Sequence, residues 1–203
     1  MKITFRWFGN DDPVTLAKIS QIPGISGIIG ALFDIPAGDV WPQKRVEELK
    51  NKIENEGFAL SAIESVPIHE DIKSGKSTRD KYIANYNESI ANVSKAGVNV
   101  VVYNFMPVFD CTRTDMQHPY GDGSTSMLYE HENILEVNSA GKSEDMPVWA
   151  RDYEPQELRG LMQDYAEVDE EKLWKNLEYF LKNVTPTAEK YGVKLAIHPD
   201  DPP

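Results

Sequence analysis

The chain has 203 residues, of which 40% are hydrophobic and 27% are charged, as is typical of a folded globular domain. Its 33 acidic and 21 basic residues give a formal net charge of -12, which argues against binding to nucleic acids or anionic membranes. The single cysteine, Cys111, excludes an internal disulfide. Because no apolar run is long enough to cross a membrane and the first residues do not resemble a signal peptide, we expect a soluble cytoplasmic protein.

Strand and helix patterns alternate from the first residues onward. Residues 3–8 alternate in the manner of a strand, and Gly9 to Pro13 supply the turn and helix-start residues that precede a first helix. No hairpin signal separates the predicted strands. Further strands are predicted at 27–33, 58–63, 98–105 and 193–198, and further helices at about 42–57, 77–97 and 169–192, where Ser77 and Asp80 resemble a capping box and Pro186 should bend the last helix.

This alternation predicts a parallel sheet with right-handed crossovers. An open doubly wound sheet and a (β/α)8 TIM barrel both satisfy it. Because Gly9 is followed by Asn-Asp-Asp-Pro and not by a glycine-rich phosphate turn, we favour the barrel. The fold class is therefore α/β, with residues 1–203 forming about five of eight strands of a catalytic domain. The long segment 106–166, after the fourth strand, is predicted to be a lid-like insertion with some helix of its own.

Side chains at the carboxyl ends of the predicted strands, or just after them, would converge at one mouth of a barrel. The residues concerned are Trp7, Asp34, Glu64, Asn104, His198 and Asp200. A neutral imidazole at a strand end suits Mn, Fe or Zn, although a histidine bonded within its loop is an equal alternative for His198. Asp200 and Asp201 could ligate metal, move a proton or bond a sugar hydroxyl, or could serve only as turn residues beside proline.

Glu64 and Asn104 could orient a ligand rich in hydroxyl groups, or could be a solvated loop acid and a loop amide. Arg6 and Arg113 are the cations best placed to meet a carboxylate, because a guanidinium offers two parallel donors. Surface salt bridges are the commoner role of such arginines.

Five separated segments together resemble the mannonate dehydratase family. They are Trp7 to Pro13 (WFGNDDP), Glu64 to Ile72 (ESVPIHEDI), Tyr103 to Pro107 (YNFMP), Thr112 to Asp115 (TRTD) and His198 to Pro203 (HPDDPP). The resemblance extends over the whole chain. It implies a barrel similar to that of xylose isomerase and the removal of water from D-mannonate to give 2-dehydro-3-deoxy-D-gluconate, with Mn²⁺ or Fe²⁺, in hexuronate breakdown.

By the same resemblance His198 is the first metal ligand, and the remaining ligands, a cysteine, a second histidine and an aspartate, lie beyond Pro203. Cys111 stands where such relatives tend to have an aromatic residue, so it is not the missing thiolate. The chain therefore resembles the N-terminal portion of an enzyme, and we expect it to be inactive without its C-terminal portion.

We therefore predict a lyase in which His198 holds metal, Asp200 is catalytic, and Trp7, Glu64 and Asn104 bind a small sugar acid. The alternatives are a sugar isomerase or epimerase on the same barrel and an inactive fragment that binds sugar acids. Because five strands leave two unpaired sheet edges, either a second copy or further chain must cover them, and we predict a homodimer.

Overall fold

A computed structural model describes residues 2–108, 113–133 and 155–199. The predicted catalytic Asp200 lies outside these residues, as do Asp201 and Cys111. The chain divides into two compact units, one formed by Met1–Phe105 with Glu170–His198 and the other by Met106–Asp169 with Pro199–Pro203. In the described residues no helix is both long and apolar enough to span a bilayer.

Thirteen helices and strands account for the regular structure of the described residues. In chain order they are β1 (Ile3–Arg6), α1 (Leu16–Ile19), β2 (Ile25–Gly30), α2 (Gln43–Asn55), β3 (Ala59–Glu64), α3 (Glu70–Ser74), α4 (Arg79–Lys95), β4 (Val100–Tyr103), β5 (Asp115–Pro119), β6 (Thr125–Leu128), α5 (Pro155–Tyr165), α6 (Glu170–Tyr191) and β7 (Lys194–Ile197).

The first unit is built on a five-stranded sheet in the order β1-β2-β3-β4-β7, and every neighbouring pair is parallel. This confirms the predicted parallel α/β sheet. Within the described residues the sheet is open, with β1 and β7 at its edges. Its membership of a closed eight-stranded barrel stays a prediction.

The hydrophobic core of this unit lies between one face of the sheet and the helices. The strands contribute Ile28 and Val101, and the helices contribute Val46, Ile90 and Phe180, all of them fully buried. In β4 the buried Val101 and Tyr103 alternate with the half-buried Val100 and Val102. Residues 100, 102 and 104 therefore belong to the face of the sheet that these helices do not cover.

Helix α4 does not begin with the predicted capping box. Thr78, and not Ser77, occupies its N-cap position, and its side chain makes no capping hydrogen bond. The Thr78 hydroxyl instead donates to the carboxylate of Asp71. The last helix has nearly the predicted bounds. It begins directly after Asp169 and continues through Pro186 to Tyr191.

The second unit contains an antiparallel hairpin that the sequence analysis missed. Strands β5 and β6 pair around a turn in which the Tyr120 amide donates to the Ser124 carbonyl at 2.8 Å. Gly123 supplies the positive φ, 85°, that this turn needs. The Gly-Asp-Gly sequence at 121–123 was the available turn signal. The short strands that flank it show little apolar alternation, so the local pattern predicts only a lid-like insertion with some helix of its own.

Gly38 is a position where the fold requires glycine for two reasons. Its φ is +88°, and a Cβ atom built there would lie 2.6 Å from Tyr82 Cδ1 and 2.7 Å from His69 Cδ2. We expect Gly38→Ala to lower the free energy of unfolding by about 2–4 kcal/mol, because left-handed backbone strain and overpacking add.

Gly57→Ala is the matched control for this variant. Gly57 has nearly the same φ, +85°, but a Cβ atom there would meet nothing within 4 Å. We expect it to cost only the backbone strain, about 1–2 kcal/mol in urea unfolding. Equal losses in the two variants would contradict the steric role assigned to Tyr82 and His69.

Candidate functional site

An ion pair joins the carboxyl ends of two strands of the first unit. Arg6 ends β1, Glu64 ends β3, and Arg6 Nε lies 3.5 Å from Glu64 Oε2. The Arg6 Nη1 group also donates to the Trp7 carbonyl at 3.2 Å. Burial lowers the pKa of Arg6, and the negative charge of Glu64 opposes that shift. A guanidinium nevertheless stays protonated in proteins, so Arg6 keeps its positive charge.

Two further residues that the sequence predicts at the site, Asn104 and His198, lie just after β4 and β7. Glu64 is opposite Val102 in the β3–β4 register, two residues before Asn104, and Ile197 is opposite Tyr103 in the β4–β7 register, one residue before His198. The His198 amide donates to the Tyr103 carbonyl at 2.7 Å. Glu64, Asn104 and His198 therefore succeed one another along the carboxyl edge of adjacent strands, as the sequence analysis expected.

Asn104 is half-buried and His198 is exposed, and each takes part in a further contact of its own. Tyr103, which precedes Asn104 in the chain, is buried, and burial raises its pKa. The imidazole of His198 is thus solvent-accessible beyond the end of β7 and is not enclosed by the apolar core.

Trp7 and Asp34 do not join the ion pair of Arg6 and Glu64. The Trp7 side chain is only 4% exposed and belongs to the hydrophobic core, because successive side chains leave a strand in opposite directions. Asp34 pairs with Arg45 on α2 at 2.8 Å, and this hydrogen bond lowers the pKa of Asp34. Both residues line a cavity of about 410 Å³ beside α2. A role for Trp7 in binding substrate stays a prediction.

Two phenylalanines that the sequence analysis did not select flank Arg6. The guanidinium carbon lies 4.7 Å from the centroid of the Phe8 ring and 5.5 Å from that of Phe33. The two ring centroids are 6.4 Å apart. Phe8 lies two residues after Arg6, a spacing that indicated a shared face, whereas nothing local to Phe33 pointed to this contact. Arg113, the other cation named from the sequence, lies in the second unit.

The described residues do not form a complete metal site. Among them no three side chains of His, Cys, Asp or Glu gather closely enough to hold an ion. His198 fits the role of a single ligand, because it is exposed at a strand end and imidazole suits divalent transition metals.

His69 is the N-cap residue of α3, a short helix that is not among the predicted helices. Its Nδ1 atom accepts a hydrogen bond from the Asp71 amide at 3.1 Å, so it caps the helix, and its ring stacks on Tyr82 at a centroid distance of 3.5 Å. Burial lowers the pKa of His69, although the carboxylates of Asp71 and Glu70 oppose the shift. The folded protein therefore favours the neutral imidazole.

This lowered pKa predicts a pH-dependent contribution to stability. The unfolded chain binds a proton at His69 more readily than the folded chain does, so the free energy of unfolding should fall as the pH drops below about 6.5. His69→Asn keeps a capping acceptor but cannot titrate. Urea unfolding between about pH 7.5 and about pH 5.5 should show a smaller loss for the variant than for the wild type. The same pH dependence in both proteins would contradict this role.

A family model, curated relatives and a solved structure that are similar to this chain all carry the name mannonate dehydratase. The family model of D-mannonate dehydratase (UxuA) matches residues 1–203. Mannonate dehydratases of Streptococcus uberis and Streptococcus pneumoniae are each 50% identical over this entire chain, which covers 58% and 56% of their lengths. The crystal structure of mannonate dehydratase from Streptococcus suis serotype 2 superposes with a TM-score of 0.86 at 48% identity, over 100% of this chain and 54% of that one. The chain thus spans little more than half the length of these relatives, and it belongs to the D-mannonate dehydratase (UxuA) family.

Proposed function

We propose that the full-length protein removes water from D-mannonate to give 2-dehydro-3-deoxy-D-gluconate, as a cytoplasmic enzyme of hexuronate breakdown. The observation that carries this proposal is the family match over all 203 residues. The position of Glu64, Asn104 and His198 along one edge of the sheet supports it, because active sites of parallel α/β enzymes lie at the carboxyl ends of the strands.

We further propose that the five parallel strands are part of a (β/α)8 barrel. The order β1-β2-β3-β4-β7 follows the chain in one direction. A doubly wound sheet reverses its strand order at a switch point, whereas a barrel adds each strand next to the last one. The uninterrupted order therefore favours the barrel.

The chemistry requires the C2 proton to leave from a carbon next to a carboxylate, while the 3-hydroxyl leaves as water. When bound, Mn²⁺ or Fe²⁺ would supply positive charge to the carboxylate and the 2-hydroxyl and so stabilise the charge that develops. His198 would be one of its ligands. Glu64 and Asn104 would accept and donate hydrogen bonds that orient the hydroxyl groups, and Asp200 would move a proton. The segment 106–166 would act as a lid that excludes water.

The proposed activity can be tested directly with the purified full-length protein. After treatment with a chelator, the protein is incubated with D-mannonate in the presence of Mn²⁺, of Fe²⁺ or of neither, and the product is identified by mass spectrometry. We expect a 2-keto acid lighter than the substrate by one water, formed only with metal. A product of unchanged mass would instead indicate an isomerase or epimerase.

The two sheet edges support a proposal about assembly. Ile3 on β1 and Ile197 on β7 are both about half exposed, and each edge strand has a strand partner on one side only among the described residues. We propose that these apolar edges are covered either by further strands of the same chain, as in the barrel proposed above, or by a second copy in a homodimer. Light scattering of the full-length protein determines its oligomeric state.

A further inference from the structure

The guanidinium of Arg6 is fixed on several sides, yet part of it remains available. Its Nε side faces Glu64 at 3.5 Å, one Nη1 hydrogen goes to the Trp7 carbonyl at 3.2 Å, and the Phe8 and Phe33 rings lie against it. Within the part of the chain that the structure describes, Nη2 meets no acceptor. Because a guanidinium carries five N–H donors in a plane, the second Nη1 hydrogen and one Nη2 hydrogen remain as a two-pronged donor.

The position of this donor suits an anionic substrate. The protein carries a formal net charge of -12, which repels anions at long range. Of the four polar side chains at the carboxyl ends of β1, β3, β4 and β7, namely Arg6, Glu64, Asn104 and His198, only Arg6 is permanently cationic. A carboxylate approaching this edge therefore has one strong fixed partner among these side chains.

The surroundings of Arg6 should also strengthen its contact with an anion. Its side chain is 23% exposed, so part of its hydration is already lost, and the two aromatic rings limit the directions from which water can reach it. A less hydrated cation binds an anion more strongly than a cation in bulk water does. Because Glu64 lies on the Nε side of the guanidinium, its carboxylate does not occupy the two terminal nitrogens. It can also accept a hydrogen bond from a hydroxyl group of the ligand.

We propose that Arg6 binds the carboxylate of the substrate through these two N–H groups and thereby selects sugar acids over neutral sugars. Phe8 and Phe33 are positioning residues that hold the guanidinium plane. The inference rests on the proposed function and adds to it the residue that recognises the acid group.

The test compares an acid with its neutral amide on the full-length protein with Mn²⁺ present. Isothermal titration calorimetry gives the Kd of D-mannonate and of D-mannonamide, which has the same hydroxyls without the negative charge. We expect Arg6→Gln to raise the Kd of D-mannonate by about 10- to 150-fold, because a hydrogen-bonded charge is lost, and to change the Kd of D-mannonamide by less than about twofold. Arg6→Lys, which keeps the charge but not the fork, should be intermediate.

Arg79→Gln is the matched control. Arg79 also stacks on an aromatic ring, with its guanidinium carbon 3.6 Å from the Tyr179 centroid, and lies 3.9 Å from the Asp80 carboxylate, but it belongs to the helix layer. Its removal should leave both Kd values within about twofold of wild type.

The outcomes separate this inference from the proposed function. An unchanged Kd for D-mannonate in Arg6→Gln, or an equal loss for acid and amide, overturns the role of Arg6 while wild-type turnover still supports the dehydratase. Selective loss of acid binding in Arg6→Gln, together with a wild-type protein that binds D-mannonate but yields no dehydrated product, supports the role of Arg6 and overturns the dehydratase. No affinity of the wild type for D-mannonate overturns both.

Discussion

Replacing Phe180 with alanine is expected to lower the free energy of unfolding by about 3–5 kcal/mol. Phe180 is completely buried and forms the centre of an aromatic cluster, with ring centroids 5.1 Å from Tyr86, 6.0 Å from Tyr103 and 5.8 Å from Phe105. The cluster joins α6 to α4 and to the end of β4. Truncation would therefore leave a cavity where three elements meet, in addition to the lost transfer free energy of the ring.

Urea unfolding measures this effect, and Trp174→Ala on the same helix is the control. Trp174 is 64% exposed, so its truncation removes an aromatic side chain of α6 without opening a cavity. We expect its effect to stay within about 0.5 kcal/mol of wild type. Similar losses in the two variants would show that α6 contributes through helix propensity and not through the Phe180 cluster.

Replacing His198 with alanine in the full-length protein is expected to lower turnover of D-mannonate by at least about 100-fold and to lower bound metal in parallel. Loss even of an outer-shell partner of a metal ligand costs about 10- to 100-fold in affinity or activity, and loss of a ligand costs more. The His198 amide donates to the Tyr103 carbonyl at 2.7 Å, and this bond fixes the chain just after β7, which supports the proposed role. Metal content by elemental mass spectrometry and initial rates are measured on the same samples.

His131→Ala provides the control for this experiment. His131 is also exposed, and its ring bonds to the Tyr129 hydroxyl at 2.8 Å, in a segment without a recognised metal-binding spacing. We expect its metal content and rate to equal those of wild type. Full activity and normal metal content in His198→Ala would contradict the proposed ligand.

The sheet could be predicted from the sequence because its signals are local. Three consecutive valines at 100–102 are typical of a strand, and alternation with amphipathic helices predicts parallel neighbours. The same reasoning placed Glu64, Asn104 and His198 at strand ends, since the end of an apolar run is itself visible in the sequence. For these residues, position along the chain was enough to predict which edge of the sheet they occupy.

The contacts within the site depended on the tertiary structure. The pairing of Arg6 with Glu64, the stacking of Phe33 beside Arg6 and that of His69 on Tyr82 join residues on separate elements, and they follow from strand register and helix packing. The burial of Trp7 was decided in the same way, by the face of β1 that meets the core. The sequence by itself thus determined the alternation of strands and helices in the first unit, the parallel direction of its five strands and their polar ends, because these depend on short-range periodicity. Only the tertiary structure decided which side chains meet, because distances between remote residues are set by the packing of the whole unit.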